Sequence, residues 1–247
     1  MSGKMLKYIL IFFALILIIN YFEVFLVILI ILSIIGGIVW YNDYKTTERY
    51  LLWIDKRGII PSSDISESMR KKLSDSDRTI LLSSGHIMSA VFYEKLLNTV
   101  NRQNFTTQSE LPKLCTKCAV NFKSQNCSLV SCYAVKQKNW VCYDSEVTGE
   151  KYYLSANLLT SYTNCFEKVG ALTQYEFVSK VLSAVKTEIP IEEYIPLSQV
   201  LLKHLCDKGK AKTIPLQPNS TMKETTLYCA VNRPENCRMK TNRISLD

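Results

Sequence analysis

The sequence predicts an α+β protein carried on a membrane by its N-terminal part: a transmembrane helix, a helical stalk, then a small disulfide-rich outer domain. Three observations predict it. Met5 to Trp40 is an almost unbroken apolar run, MLKYILIFFALILIINYFEVFLVILIILSIIGGIVW. Nine cysteines are present and every one falls after Leu114. Beyond the run, capped helical patterns alternate with aromatic, β-prone stretches bounded by polar turns. The expected boundaries are 1–40 for tail and anchor, 41–112 for a juxtamembrane helical stalk, and 113–247 for the cysteine-rich domain.

The anchor comes first. Only Lys7, Asn20, Glu23, Ser33 and two glycines interrupt it. About 18 apolar residues suffice to span a bilayer, and a soluble core helix does not carry aliphatic surface on every face. At ~1.5 Å per residue the run exceeds the ~30 Å hydrocarbon thickness by a wide margin. A single span is expected, formed mainly by Phe25–Trp40, with Tyr8–Ile19 continuing as a tilted or interfacial helix. A span in the first half, or a hairpin turning at Asn20–Glu23, are the alternatives. A carboxylate at mid-bilayer costs ~2.5 kcal/mol or more, which places Glu23 at an interface or against a partner. No small-x-small cleavage site ends the first segment, so the run reads as an uncleaved signal-anchor. Lys4 and Lys7 before it balance Lys45 and Arg49 after it, and the free amino terminus tips the N-terminus inward.

Tyr41–Arg57 continues as a helix, with Tyr50, Trp53 and Ile54 at helical spacing and Gly58 and Pro61 closing it. Ser62–Leu73 reads as a short polar helix, and His86–Val100 as a longer one with His86 at its polar start. Asn101–Lys113 is polar, holds Pro112, and reads as a loop. Asn139–Tyr143 and Lys151–Leu154 form an expected hairpin around Gly149. Thr173 and Glu176 make a capping box for a helix carrying Tyr175, Val178, Val181, Leu182 and Val185, which Pro190 ends. Pro196 opens another helix, with Leu197, Val200, Leu201 and Leu205 inward and its stop near Gly209. Thr225–Val231 reads as a strand tied down by Cys229, and no internal repeat is evident.

Cys115, Cys118, Cys127, Cys132, Cys142, Cys165, Cys206, Cys229 and Cys237 are the disulfide candidates. Their density behind a signal-anchor argues for an oxidising compartment, with eight paired and one left over. The competing reading is metal: Cys115, Cys118, Cys127 and Cys132 give C-x2-C-x8-C-x4-C, a set able to wrap zinc if reduced. Cys115–Cys118 also has oxidoreductase spacing, but no convincing strand precedes it, and such sites open a helix.

No nucleophile–base pair, G-x-S-x-G, H-E-x-x-H or P-loop pattern appears, and His204 and Cys206 point to different faces of one helix. The expectation is a non-enzymatic protein with no cofactor and no resident metal. Asn104, Asn126 and Asn219 are glycosylation candidates, Asn126 hindered by its neighbour Cys127. The net charge of +8, with much of the excess after Lys203, suits membrane lipid, an anionic surface or an acidic partner protein. No nucleic-acid-binding signature supports a nucleic-acid partner.

The layout as a whole, from Lys4 and Met5–Trp40 through the nine cysteines, resembles the small fusion-complex subunits with which poxviruses enter cells. It also resembles the oral infectivity factors of baculoviruses. The resemblance lies in layout and not in any motif. It implies a virion-membrane glycoprotein with an external C-terminal domain, working among other envelope proteins. Two function classes stay open. One is a single-pass, disulfide-stapled extracytoplasmic module that binds partners or assembles a membrane complex. The other is a hairpin-anchored cytosolic adaptor with a zinc-binding Cys115–Cys132 segment.

Overall fold

The computed structural model describes residues 3–216, 226–237 and 240. The apolar run forms two helices, α1 (Gly3–Asn20) and α2 (Phe22–Arg57), which meet at Tyr21. Every described side chain from Lys7 to Thr46 is exposed, so the two helices bury no shared face of the kind a packed hairpin has. Among the described residues α2 alone is long and apolar enough to cross a membrane. It does not stop where its apolar stretch ends. The same helix passes Trp40 and Tyr44, whose rings stack at 5.9 Å, and goes on to bury Leu51 and Ile54 in the first folded unit. It ends at Gly58, whose φ is +73° and where a Cβ would meet the rings of Phe92 and Phe122 at 3.0–3.1 Å.

From the end of α2 onward the chain uses one design three times. The first unit comprises the end of α2, β1 (Ile59–Pro61), a 3-10 turn at Ser62–Asp64, α3 (Glu67–Ser74), β2 (Thr79–Leu81) and β3 (His86–Ser89). The second comprises α4 (Ala90–Gln103), β4 (Phe105–Thr107), α5 (Leu111–Cys118), α6 (Cys127–Lys136), β5 (Trp140–Asp144) and β6 (Lys151–Ser155). The third comprises α7 (Ala156–Val169), β7 (Ala171–Leu172), α8 (Gln174–Phe177), α9 (Tyr194–Asp207), β8 (Ala211–Pro215) and β9 (Thr226–Ala230), with α8 continuing as a π-helical turn through Val178–Leu182. The sheets run β1-β3-β2, β4-β6-β5 and β7-β9-β8, all antiparallel, with the last strand always in the middle. Helix, strand, two helices and a closing hairpin, in that sheet order, make the connectivity of a winged helix. In the first unit the second helix has shrunk to the 3-10 turn.

The equivalence extends to single bonds. Each opening helix ends in a left-handed residue immediately before its strand: Gly58, Asn104 and Gly170, with φ of +73°, +70° and +90°. The carbonyls of those residues accept from Ser89, Ser155 and Ala230 at 2.8, 2.8 and 2.6 Å. Ser89 and Ser155 close one unit and open the next. Each ends a middle strand, and each caps the following helix by accepting from Phe92 N at 3.1 Å or Leu158 N at 3.2 Å. A side-chain cap of this kind is worth about 1 kcal/mol and fixes where the helix begins.

The units are stacked through their sheets. Side chains alternate along a strand, so a strand can serve two cores at once. In the first sheet, Ile60 and Ile87 face their own helices with Leu51, Ile54, Met69 and Leu73. Ile59 and Met88 face the other way and pack into the second unit's core with Phe92 and Leu96. The second sheet repeats this: Trp140 and Tyr153 face inward, while Tyr143, Tyr152 and Leu154 join the third unit's core with Leu158, Tyr162 and Phe166. Two-sided burial is why these strands read as runs of apolar residues instead of clean alternations.

Several expectations are corrected. His86 lies in a strand, not at a helix start. Asn101–Lys113 is not a plain loop, since it contains β4 and the first turn of α5. Position 112/113 falls inside α5, and 41–112 holds the end of α2 with β1, α3, β2, β3, α4 and β4. Tyr175, expected inward, is exposed, and Phe177 takes the buried place. The chain does contain an internal repeat. The α2 extension, the Gly149 hairpin, the Thr173–Glu176 capping box, the Pro196 helix and the Cys229 strand stand where the residues place them.

Candidate functional site

The stacking leaves clefts where neighbouring units meet. One of them, about 820 Å³, runs between the second and third units along strand β4. Phe105 and Thr107 line its floor, Arg102, Lys113 and Lys117 stand on the second unit's side, and Lys186 stands on the third's. None of these four cations has an ion pair among the described residues. Glu110 and Glu188 also line the cleft and offset part of the charge.

On the other edge of the same sheet, Lys138, His204 and Lys208 line a smaller cleft of about 240 Å³ with Trp140 and Val141. Burial, and then Lys208, push the His204 imidazole below its ordinary range, against the pull of Asp207. His204 and Cys206 lie two positions apart on α9 and face different sides of it, and burial pushes the Cys206 thiol up. Between the clefts the units are pinned by a fully buried carboxylate. Glu193 accepts from Ser145 Oγ, and Ser145 Oγ in turn accepts from Thr148 N at 2.9 Å and Thr148 Oγ1 at 2.8 Å. These bonds hold the wing of the second unit against the turn that opens α9.

The cysteines disperse over the second and third units. Cys229 and Cys237 are bridged, and the other seven stand as thiols. Cys115 and Cys127 do meet: Cys115 donates to Cys127, which holds the Cys127 thiol below its usual range and, together with burial, raises that of Cys115. Cys118 is the last residue of α5, so the Cys115–Cys118 pair closes a helix. The negative end of a helix disfavours a thiolate, the reverse of what a thioredoxin-like site requires. Cys132 is exposed on α6, on the side of Cys142, while Cys165 faces Lys180 O at 3.7 Å and Cys206 is half-buried. Among the described residues no group of three or more histidines, cysteines or carboxylates is placed to hold a metal ion.

Asn104 is the left-handed residue between α4 and β4, and the Thr106 of its sequon is fully buried. Asn126 is 7% exposed, which leaves no room for a glycan in this fold. Asn219 lies outside the described residues. Sequence reasoning missed the β4 cleft, because a three-residue strand in a polar stretch carries no period to read. Its one available signal was Asn104, a residue type that favours the left-handed turn before a strand.

No family model matches the chain, and no curated protein matches it. Among solved structures, a Methanosarcina barkeri Roco2 RocCORdC structure bound to GDP aligns at 14% identity with a TM-score of 0.33, over 67% of this chain and 49% of that one. Subunit VPS25 of the endosomal trafficking complex ESCRT-II aligns at 14% identity with a TM-score of 0.32, over 66% of this chain and 90% of that one. The chain thus spans about half the length of the first. Likenesses of this size carry no argument about fold or function.

Proposed function

We propose that the protein is a membrane-anchored docking scaffold, not an enzyme, whose three winged-helix units hold partner proteins beside the bilayer. The observation that carries the reading is α2. One unbroken helix supplies both the candidate span and the opening helix of the first unit, so the stack is held in fixed register with the membrane. Arg78 reinforces the join, bonding Glu48 at 3.2 Å and Asp55 at 3.1 Å on α2. The third helices of the second and third units also favour protein over duplex nucleic acid as a partner. In winged-helix and related readers that helix enters the major groove with basic side chains. Here α6 carries Lys136 alone and α9 carries Lys203 with His204, while α3 of the first unit carries Arg70, Lys71 and Lys72, of which Arg70 pairs with Glu67 and Lys72 with Asp43. Cross-linking in intact membranes should join partner proteins to exposed lysines of the second and third units. Cross-links confined to the chain itself contradict the scaffold.

The units face the cytoplasm in this reading. With α2 continuing past the bilayer, Lys45, Arg49, Lys56 and Arg57 all follow Trp40 closely, against Lys4 and Lys7 before the run. An excess of Lys and Arg marks the cytoplasmic side. Seven thiols and two sequons masked by burial fit the same side. The Cys229–Cys237 bridge and the Cys115–Cys127 contact favour a second reading, the disulfide-stapled extracytoplasmic module of an envelope complex. A glycosylation acceptor added after Asp247 separates them: unmodified in microsomes for the first, modified for the second.

A further inference from the structure

The β4 edge has a directionality that names its ligand. The register pairs Phe105 with Leu154, Thr106 with Tyr153 and Thr107 with Tyr152. Just outside, Ser155 N donates to Asn104 O and Gln108 N donates to Lys151 O, both at 2.8 Å. In an antiparallel pair these exchanges fall on alternate residues. Residues 104, 106 and 108 therefore turn their main-chain groups to β6, and Phe105 and Thr107 turn theirs away from it. That outer side is the 820 Å³ cleft, which Phe105 and Thr107 line. Since β4 is an outer strand of the β4-β6-β5 sheet, no strand among the described residues occupies that side.

An exposed strand edge is a template for a further strand, and natural proteins blunt it unless it is used. This one is not blunted by a proline or a charge within the strand. It is instead flanked by Arg102, Lys113, Lys117 and Lys186, which have no ion pair among the described residues, against Glu110 and Glu188. We infer that the β4 cleft takes an extended acidic peptide from a partner protein. The peptide adds a strand to the second sheet through Phe105 and Thr107 main-chain groups, and its carboxylates meet the four cations. The inference rests on the scaffold reading and gives it a site and a ligand class.

The test uses the full chain in lipid nanodiscs and a random heptapeptide library displayed on phage. Recovered peptides are expected to carry Asp or Glu at alternating positions. Their binding should slow amide exchange at 104–108 and fall at least tenfold when the main-chain nitrogens facing β4 are methylated. The exposed double substitution K113E/K117E, its fold checked by circular dichroism, should reverse the charge preference. The site is overturned if no acidic peptide is enriched, or if methylated peptides bind as well as their parents. Peptides that bind but protect amides elsewhere overturn this site while leaving the scaffold reading intact.

Discussion

The second and third sheets have the same strand order and opposite fates on their outer faces. The second turns Tyr143, Tyr152 and Leu154 into the core of the next unit, with the two tyrosine rings stacked at 5.1 Å. The third has no unit after it among the described residues. Its outer face shows Ala171, Leu227 and Cys229, and a small cluster covers them: Leu216, Cys237 and the bridge between Cys229 and Cys237. A large aromatic face is stabilised by a neighbour's core, whereas a small face is closed locally by a covalent staple. A sheet face with no neighbouring unit among the described residues is here covered by its own chain.

Breaking the large interface has the largest expected effect. Leu154 is fully buried between the second and third units. Leu154→Ala should destabilise by about 2–5 kcal/mol. Denaturant unfolding should show both units losing stability together, and loss confined to the second unit counts against a shared core. The staple comes next. Cys237→Ser removes a bridge closing a short loop, for which about 2–4 kcal/mol is typical. Amide exchange should rise in β7 to β9 and stay unchanged in the first two units.

Charge also holds the cap of the third unit. Burial pushes the Glu176 carboxyl up, but Lys240, the Thr173 amide and Lys180 outweigh it, and its pKa is lowered to about 2. A carboxylate with a depressed folded pKa contributes stability that is present above its unfolded pKa, ~4.3. That contribution is lost as pH falls from there through about 2. Glu176→Gln should flatten the stability profile of the third unit over that window, and an unchanged acid limb means that Glu176 does not hold the cap. The smallest effect belongs to the first unit. Arg78 is a partly exposed cation on two carboxylates, so Arg78→Met should cost less than about 1 kcal/mol. A larger loss in thermal unfolding means that the join to α2 depends on charge and not on Leu51 and Ile54.

The sequence made the long elements legible and hid the short ones. The long apolar helix, its extension, the hairpin around Gly149 and the capped helices could be read because each carries a full period or a cap. Three-residue strands such as β1, β2 and β4 carry neither, so the unit boundaries were lost with them. The repeat left a faint trace nonetheless. Met88-Ser89-Ala90 and Leu154-Ser155-Ala156 are the same apolar-Ser-Ala step at the same structural joint. Cysteine count pointed to a staple framework, and the two-sided sheets that join the units left no comparable mark in the sequence. The β4 cleft depends on register, which is decided by distant pairing and is not a local property of the chain.

Native-state hydrogen exchange on the full chain in nanodiscs, at rising sub-denaturing urea, tests the stacked arrangement most directly. Shared cores predict that amides of β5 and β6 exchange through the same opening as those of α7 and α9, with one free energy and one urea dependence. Separate openings, with β6 exchanging at its own lower free energy while α7 and α9 stay protected, would contradict the stack.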